Sequence, residues 1–286
     1  MGVGSRLSLF LVMLALSTSG RALAADYDPP LYEPPVYIEE AEQAVPVEVG
    51  NGWYLRGDVG YTFSTNAGSF NYRTFDPATG TYGAAGFDSA SLDSDIIFGA
   101  GFGYRFNDWI RAEVMAERFS PTFSGSTSAA LPCPGQPAGT TCRGDDEAEL
   151  NATSFMANAY VDLGTFARFT PYVGAGAGLT LASWNSLQGT LNCVPGAVAC
   201  SALPITETSN DGISSWRFTY ALMAGVAYDI SDNLKVDLGY KYRHVNGGDM
   251  FRFSASEQGL GASGAQGSDS GFGQHEVRVG LRYALW

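Results

Sequence analysis

The chain has 286 residues, of which 29 are acidic and 16 are basic, so its formal net charge is −13 at pH 7. A surface this acidic repels phosphate backbones, which excludes nucleic-acid binding. Hydrophobic residues make up 45% of the chain. After the first 24 residues, however, no stretch stays apolar for the roughly 18 positions of a membrane-spanning helix. Helical membrane spans are therefore excluded as well.

The first 24 residues have the three parts of a secretory signal peptide. Arg6 precedes the ten-residue run LSLFLVMLAL at positions 7–16, and ALA at positions 22–24 supplies small residues for cleavage. We predict cleavage after Ala24, so that an exported mature chain begins with Ala25 and Asp26.

Residues 25–50 form the next segment, which holds five prolines and seven acidic residues but no basic residue. Its apolar content is too low to form a packed core. A proline-rich chain extends by about 3.1 Å per residue, so this segment would reach on the order of 80 Å. We predict a disordered, acidic periplasmic leader before a folded domain that comprises residues 51–286.

Eight segments of that domain alternate between apolar and polar residues, which is the pattern of a β-strand with two different faces. No helical period follows the signal peptide. The predicted strands are 52–64, 94–106, 109–119, 150–163, 170–184, 216–230, 233–245 and 274–286.

The connections between these segments alternate strictly in length. Those after the second, fourth and sixth segments are ND, GTFARF and SDN, whereas the other four run to nearly thirty residues each. Outer-membrane barrels have short periplasmic turns and long extracellular loops, whereas such loops are uncommon in a compact soluble domain. We therefore predict an all-β fold, an eight-stranded antiparallel transmembrane β-barrel with short periplasmic turns and four long extracellular loops.

The two faces of the strands differ in charge. One face is apolar, and the other is rich in glycine and balances nine basic against eight acidic residues. A soluble lipocalin-type barrel also alternates, with its apolar face inward, but its solvated outer face need not balance charge. A confined lumen must pair nearly every charge. We therefore predict a lumen charge network of Arg56, Asp58, Asp95, Arg105, Arg111, Glu113, Glu117, Asp162, Arg217, Asp229, Lys235, Asp237, Lys241, Arg243, Glu276, Arg278 and Arg282.

All five tryptophans fall at the ends of predicted strands. In membrane barrels, aromatic side chains at strand ends form girdles at the two membrane–water interfaces. The predicted interface aromatics are Trp53, Trp109, Trp184, Trp216 and Trp286.

Several segments carry a resemblance to a known family, among them GWYLRGDVGY (52–61), GAGFGYRFNDWIRAEV (99–114), TPYVGAGAGL (170–179) and LKVDLGYKYRHVNGGD (234–249). They resemble the small eight-stranded outer-membrane barrels of the OmpA-transmembrane and OmpX type, and in particular the porin-like surface antigens of alphaproteobacteria. The resemblance covers most of the barrel and little of the loops. It implies location in the bacterial outer membrane, among lipid and lipopolysaccharide, and it implies no single function because the family is functionally heterogeneous.

The resemblance also implies two partners at the ends of the chain. Members of the family end on an aromatic residue that the barrel-assembly machinery reads, which here is Trp286. Tyr283 stands three residues earlier rather than the usual two, so Trp286 falls on the charged face. In related barrels, a mature terminus of Ala-Asp implies covalent attachment to peptidoglycan. Ala25 and Asp26 match that pattern, and the alternative is a leader with no partner.

The four cysteines form two close pairs in segments rich in proline and glycine, Cys133 with Cys142 and Cys193 with Cys200. An exported chain favours disulfides. A metal site is the alternative, but neither pair has the C-x-x-C spacing and no histidine lies nearby. We predict two short-loop disulfides and no metal.

Residues for catalysis are few. His244 and His275 flank the last long loop, where two interfacial histidines are favoured over a metal or haem site. The acidic run Asp145, Asp146, Glu147 and Glu149 is interpreted as solvated loop rather than as a site for divalent cations beside lipopolysaccharide. The segment 259–273 is low in complexity and predicted to be flexible. No nucleophile with a base and an orienting group is evident, so we predict neither an enzyme nor a cofactor.

Three functions remain. We favour a structural outer-membrane barrel that contributes to envelope integrity and surface interactions, with a possible tether to peptidoglycan. The first alternative is a narrow pore, which is disfavoured because side chains fill the interior of an eight-stranded barrel. The second alternative is a haem-binding or adhesin surface protein.

Overall fold

The computed structural model describes residues 52–130, 132–201 and 206–285. The predicted signal peptide, the leader at 25–50, Ala25, Asp26 and Trp286 lie outside these ranges, so they stay predictions. Among the described residues, no helix has the length and apolarity needed to cross a membrane.

The described chain forms fourteen strands and one short helix. In chain order they are β1 (Trp53–Ala67), β2 (Phe70–Asp76), β3 (Thr81–Gly86), β4 (Ser89–Leu92), β5 (Ile96–Arg105), β6 (Ile110–Phe119), β7 (Thr122–Ala129), β8 (Thr141–Asp162), β9 (Phe169–Trp184), β10 (Leu187–Val194), β11 (Thr206–Asn210), β12 (Ser214–Asp229), β13 (Leu234–Arg252), α1 (Ala255–Gly259) and β14 (Ala265–Ala284).

Eight of these strands close into an antiparallel ring, in the order β1, β5, β6, β8, β9, β12, β13 and β14. Pairing of β14 with β1 completes the ring, for example between Val277 and Tyr61. Closure pairs the edge strands with each other, which a bilayer requires because lipid cannot hydrogen-bond an exposed strand edge. The predicted fold class is confirmed.

The alternating sequence gives alternating burial along each strand. In β1 the apolar side chains of Leu55, Val59 and Phe63 point outward, while Arg56 and Asp58 between them are buried. The same alternation holds in β6 and β14. The apolar face therefore forms the outside of the barrel, and the polar face lines the interior.

The four long connections are folded rather than loop-like, which corrects the sequence prediction. Strands β2 and β3 form a hairpin that extends the sheet beside β14. Strands β4, β7, β10 and β11 join the outer half of β8 in a five-stranded sheet, which we call the extracellular sheet. The sequence pattern missed most of these strands because they are short and Gly or Ser interrupts their alternation. Backbone pairing with the protruding ends of β8 and β14 holds β7, β10 and β2.

The segment 259–273, predicted to be flexible, is the clearest case of this correction. Residues from Ala265 onward belong to β14 and pair with β13. Phe272 and Asp269 within it are buried. Low complexity in the sequence does not prevent order here, because the neighbouring strand supplies the hydrogen bonds.

Candidate functional site

The barrel interior contains a balanced set of buried charges. Among the described residues, seven basic and seven acidic side chains are buried, and each takes part in at least one ion pair. These are Arg56, Arg111, Arg217, Lys241, Arg243, Arg278 and Arg282 with Asp58, Glu113, Glu117, Asp162, Asp237, Asp269 and Glu276. An unpaired charge in this confined space would be strongly destabilising.

Glu117 is the centre of this network. Lys241 donates to both of its carboxylate oxygens at 2.6 Å, and Arg243 donates at 2.5 Å. Arg278 approaches at 3.5 Å and also pairs with Asp58 on β1. Strands from opposite sides of the ring are thus joined through one carboxylate.

A second centre lies at Glu113, where tyrosines assist the ion pairs. Arg56 lies 3.3 Å and Arg111 3.7 Å from Glu113, and the Tyr160 hydroxyl donates to it at 2.5 Å. The guanidinium of Arg111 sits 3.9 Å from the centre of the Tyr160 ring, a distance suited to a cation–π interaction.

The sequence analysis did not identify these inward-facing tyrosines, although the alternation contained the signal. Tyr54 shares the face of Arg56, and Tyr160 shares the face of Asp162. Two glycines make room for these rings, since a Cβ at Gly103 on β5 would meet Tyr54 and a Cβ at Gly174 on β9 would meet Tyr160.

Four predicted network members lie at the rims instead of inside. Arg105 is exposed at the periplasmic rim, where the described residues offer it no ion pair. Asp229 and Lys235 pair at 2.5 Å but keep about a quarter of their side chains exposed. Asp95 is half-buried at the opposite rim, where it accepts backbone hydrogen bonds from Ile96 and Ser120. These residues stand at strand ends, where water reaches them.

The tryptophans divide between two environments. Trp53, Trp109 and Trp216 are exposed on the outer face at strand ends. Trp184 is buried with 5% exposure, so its predicted place in the girdle is wrong. It falls on the inward face at the outer end of β9, and its ring lies 5.5 Å from that of Phe251.

Trp184 belongs to an apolar cluster that fills the outer mouth of the barrel, which we call the plug. Phe123 lies at its centre, with no exposed surface and with the Phe70 ring 4.8 Å away. The buried members are Phe70, Leu92, Ile97, Phe119, Phe123, Ala148, Leu150, Ala152, Ala182, Trp184, Leu187, Val245, Met250, Phe251 and Phe272. The plug closes the outer mouth of the barrel, and the charge network crosses the lumen below it; cavities of about 220 and 330 Å³ remain at the periplasmic mouth.

The cysteines pair within the extracellular region as Cys133–Cys142 and Cys193–Cys200. Cys142 and Cys193 are also direct neighbours across β8 and β10. The two disulfides are therefore adjacent and brace the far end of the extracellular sheet.

The two histidines face outward near the outer rim. The hydroxyl of Tyr240 and Nδ1 of His275 share a hydrogen bond of 2.7 Å, and His244 stacks on Tyr220. In the part of the chain that the structure describes, no group of three His, Cys, Asp or Glu side chains is arranged to hold a metal ion.

The acidic run splits because β8 alternates. Asp145 and Glu147 face away from the barrel on the extracellular sheet, and Asp146 faces the opposite way. Asp146 lines a cavity of about 590 Å³ between the extracellular sheet and the β13–α1–β14 segment, which we call the extracellular cleft. The sequence analysis interpreted this run as loop rather than strand, so it did not separate Asp146 from Asp145 and Glu147.

A family model described as the outer membrane protein beta-barrel domain matches residues 51–284, which is nearly the whole described chain. The chain belongs to this family. Its location is therefore the bacterial outer membrane, as the resemblance implied.

Several relatives match this chain over most of its length. An uncharacterized protein of Brucella suis is 35% identical, with 98% of each chain covered. Outer membrane protein PagN of Salmonella typhimurium is 26% identical over 66% of this chain and 73% of its own. A protein of Rickettsia prowazekii that is provisionally named an adhesin is 23% identical, with 83% and 89% covered.

Among solved structures, Neisserial surface protein A is similar at 16% identity with a TM-score of 0.42. The match covers 82% of this chain and 97% of that one.

Proposed function

We propose that this outer-membrane barrel is a surface-interaction protein whose closed barrel displays a folded extracellular platform and contributes to envelope integrity. The observation that carries the proposal is the contrast between a filled lumen and an ordered outer region of six additional strands in the described chain. A protein that only sealed the membrane would need no such platform. The provisional adhesin among the relatives supports the same class of function.

The pore alternative is disfavoured by what fills the lumen. Phe123 and Trp184 close the outer mouth, and the Glu117 cluster links β6 to β13 below it. A hydrated ion passing this way would have to displace both packed aromatic rings and paired charges. We expect purified protein in planar bilayers to show no steady conductance.

Attachment tests the proposal directly. Bacteria without surface adhesins would express the full chain, and their binding to cultured host cells would be counted. The matched control shortens the β10–β11 hairpin, and surface labelling would verify that the shortened barrel still assembles. We expect the full chain to raise attachment and the control to lose most of the gain. Equal attachment with and without the full chain would contradict the proposal.

Envelope integrity has a separate readout. Deleting the gene in the native cells should raise sensitivity to bile salts or detergent, and expression of the hairpin control should restore resistance because the barrel is intact. A deletion strain as resistant as its parent would remove this part of the proposal.

The tether to peptidoglycan through Ala25 stays a prediction, supported by the Ala25-Asp26 pattern alone. Mass spectrometry of peptidoglycan released by muramidase should find muropeptides joined to the Ala25 amine. A free amine throughout would leave the barrel without a covalent link to the cell wall.

A further inference from the structure

The extracellular cleft has the size and lining of a binding site for a small group. Its volume of about 590 Å³ lies within the range of known ligand pockets. One wall is the inward face of the extracellular sheet, and the other is formed by Phe251 and the first turn of α1. Tyr72 and Phe87 also line the cleft, with their rings 5.3 Å apart.

Asp146 stands in a notch of the sheet. Its direct neighbours across the two flanking strands are Gly125 on β7 and Gly189 on β10. Gly144, two residues earlier on the same face, also lines the cleft. The space over these glycines is filled by other side chains, since a Cβ at Gly189 would meet the Asp146 carboxylate and the Thr208 hydroxyl, and a Cβ at Gly125 would meet the Phe87 ring. The carboxylate of Asp146 therefore lines the cleft beside a hydroxyl group and an aromatic ring.

The charge of the cleft has one sign. Asp146, Glu207 and Glu257 line it, and none of its described lining residues is Lys, Arg or His. Within the described chain, Asp146 makes no ion pair and no side-chain hydrogen bond, in contrast to Asp145, which pairs with Arg143 at 2.9 Å. Glu257 accepts hydrogen bonds from Ser254 at the start of α1, so its carboxylate is held in place.

We propose that the extracellular cleft binds an ammonium or guanidinium group carried on a short aliphatic chain, with Asp146 as its ion-pair partner. The carboxylates select positive charge, and the rings of Tyr72 and Phe87 can pack against the aliphatic chain and the cation. A lysine or arginine side chain of a partner peptide and a free polyamine share this chemistry. The inference rests on the proposed surface-interaction function and names the chemical group that the surface recognises.

Binding should depend on pH in a way that follows from the surroundings of Asp146. Burial raises the pKa of Asp146 to about 6, and repulsion from Asp145 adds to the rise. The other groups that face it are the Tyr72 hydroxyl, Glu207 and Glu257, none of which is basic. Protonation of Asp146 below about pH 6 removes the charge that the cation needs, so affinity should fall on acidification.

The test uses the full chain in detergent micelles and isothermal titration with two probes, a short lysine-containing peptide and spermidine. We expect both probes to bind at pH 7.5 and to bind more weakly at pH 5. The same peptide with norleucine in place of lysine should not bind. Asp146→Asn should weaken binding by at least about tenfold, because it removes the charge while keeping the shape. Asp145→Asn is the matched control, with the same charge change on the opposite face, and should change affinity less than about twofold.

Each outcome has a definite meaning. Tighter binding of the peptide identifies a protein partner, tighter binding of spermidine identifies a soluble polyamine, and both support the proposal. If neither probe bound, or if Asp146→Asn and Asp145→Asn lost affinity equally, the proposal would be overturned. Host-cell attachment that persists in Asp146→Asn would leave the surface function standing without this site, so the two proposals fail separately.

Discussion

Carboxylates have cationic partners in the barrel interior, whereas in the extracellular cleft Asp146 has none among the described residues. In the interior, Glu117 has Lys241 and Arg243 at hydrogen-bond distance, and buried positive and negative groups are equal in number within the described chain. In the cleft, Asp146 is partly buried among other acidic groups without a described cation partner. An uncompensated buried charge costs stability. The paired carboxylates therefore stabilise the fold, whereas the unpaired carboxylate of Asp146 is the group that we propose binds a cation.

Removing the central carboxylate of the lumen should produce the largest loss of stability. Glu117→Ala leaves Lys241 buried without its partner, and Arg243 and Arg278 each lose one of their two. We expect the free energy of unfolding to fall by about 3–5 kcal/mol. Urea titration in lipid vesicles, followed by tryptophan fluorescence, measures it.

The control for this variant is Asp145→Asn, which breaks the exposed pair with Arg143. Surface pairs contribute about 0–1 kcal/mol, so its loss should be small. Comparable losses in the two variants would contradict the assignment of Glu117 to a structural network.

Opening the plug should have a somewhat smaller effect on stability and a new effect on permeability. Phe123→Ala removes the ring that contacts Phe70, Phe87, Trp184 and Phe251. We expect a loss of about 3 kcal/mol in the free energy of unfolding and brief conductance events in planar bilayers. A destabilised variant with no conductance would show that the charge network alone seals the lumen.

The pair of Arg282 and Asp237 tests whether charge in the lumen is needed at all. Arg282 donates to both Asp237 oxygens, at 3.1 and 3.2 Å, near the periplasmic mouth. We expect Arg282→Met to cost about 2 kcal/mol, because nearby water moderates the stranded carboxylate. The double variant Arg282→Met, Asp237→Leu should return to within about 1 kcal/mol of the wild-type free energy of unfolding. A double variant as unstable as the single one would show that the side chains matter beyond their mutual neutralisation.

The sequence was sufficient to predict the barrel because two independent patterns agreed. Alternation distinguished Leu55 and Val59 on the lipid face from Arg56 and Asp58 inside, and connection length distinguished the two rims. Both patterns act locally along the chain. The ring order then follows because consecutive antiparallel strands pair with one another.

The plug and the cleft could not be predicted in the same way, because their residues meet only through long-range pairing. The alternation of β9 places Trp184 on the inward face, but its packing against Phe251 gives no sequence signal, because the two rings come from distant strands. Asp146 in an acidic run gives no sign that Gly125 and Gly189 flank it from strands hidden in other connections. Register, rather than residue type, creates both features.

The smallest expected effect is a gain in stability, at Asp146 itself. The pKa of Asp146 is raised from its ordinary value of 3.8 to about 6 by burial and by Asp145, so folding favours the protonated form. Stability from this group is therefore full below about pH 4 and lost as the pH rises through about 6. Asp146→Asn has no charge to bury. At pH 7.5 and without ligand it should be more stable than wild type, by up to about 1 kcal/mol after allowance for solvent screening.

The gain from Asp146→Asn should vanish at pH 4, where the wild-type carboxyl is also neutral, and urea titrations at the two pH values measure the difference. Asp145→Asn should show no such gain, because Asp145 is compensated by Arg143. If Asp146→Asn were less stable than wild type at pH 7.5, a partner within the protein would already neutralise Asp146. The contrast between lumen and cleft would then be lost. A gain at neutral pH combined with weaker cation binding is the expected signature of a carboxylate that costs the fold stability and binds a ligand.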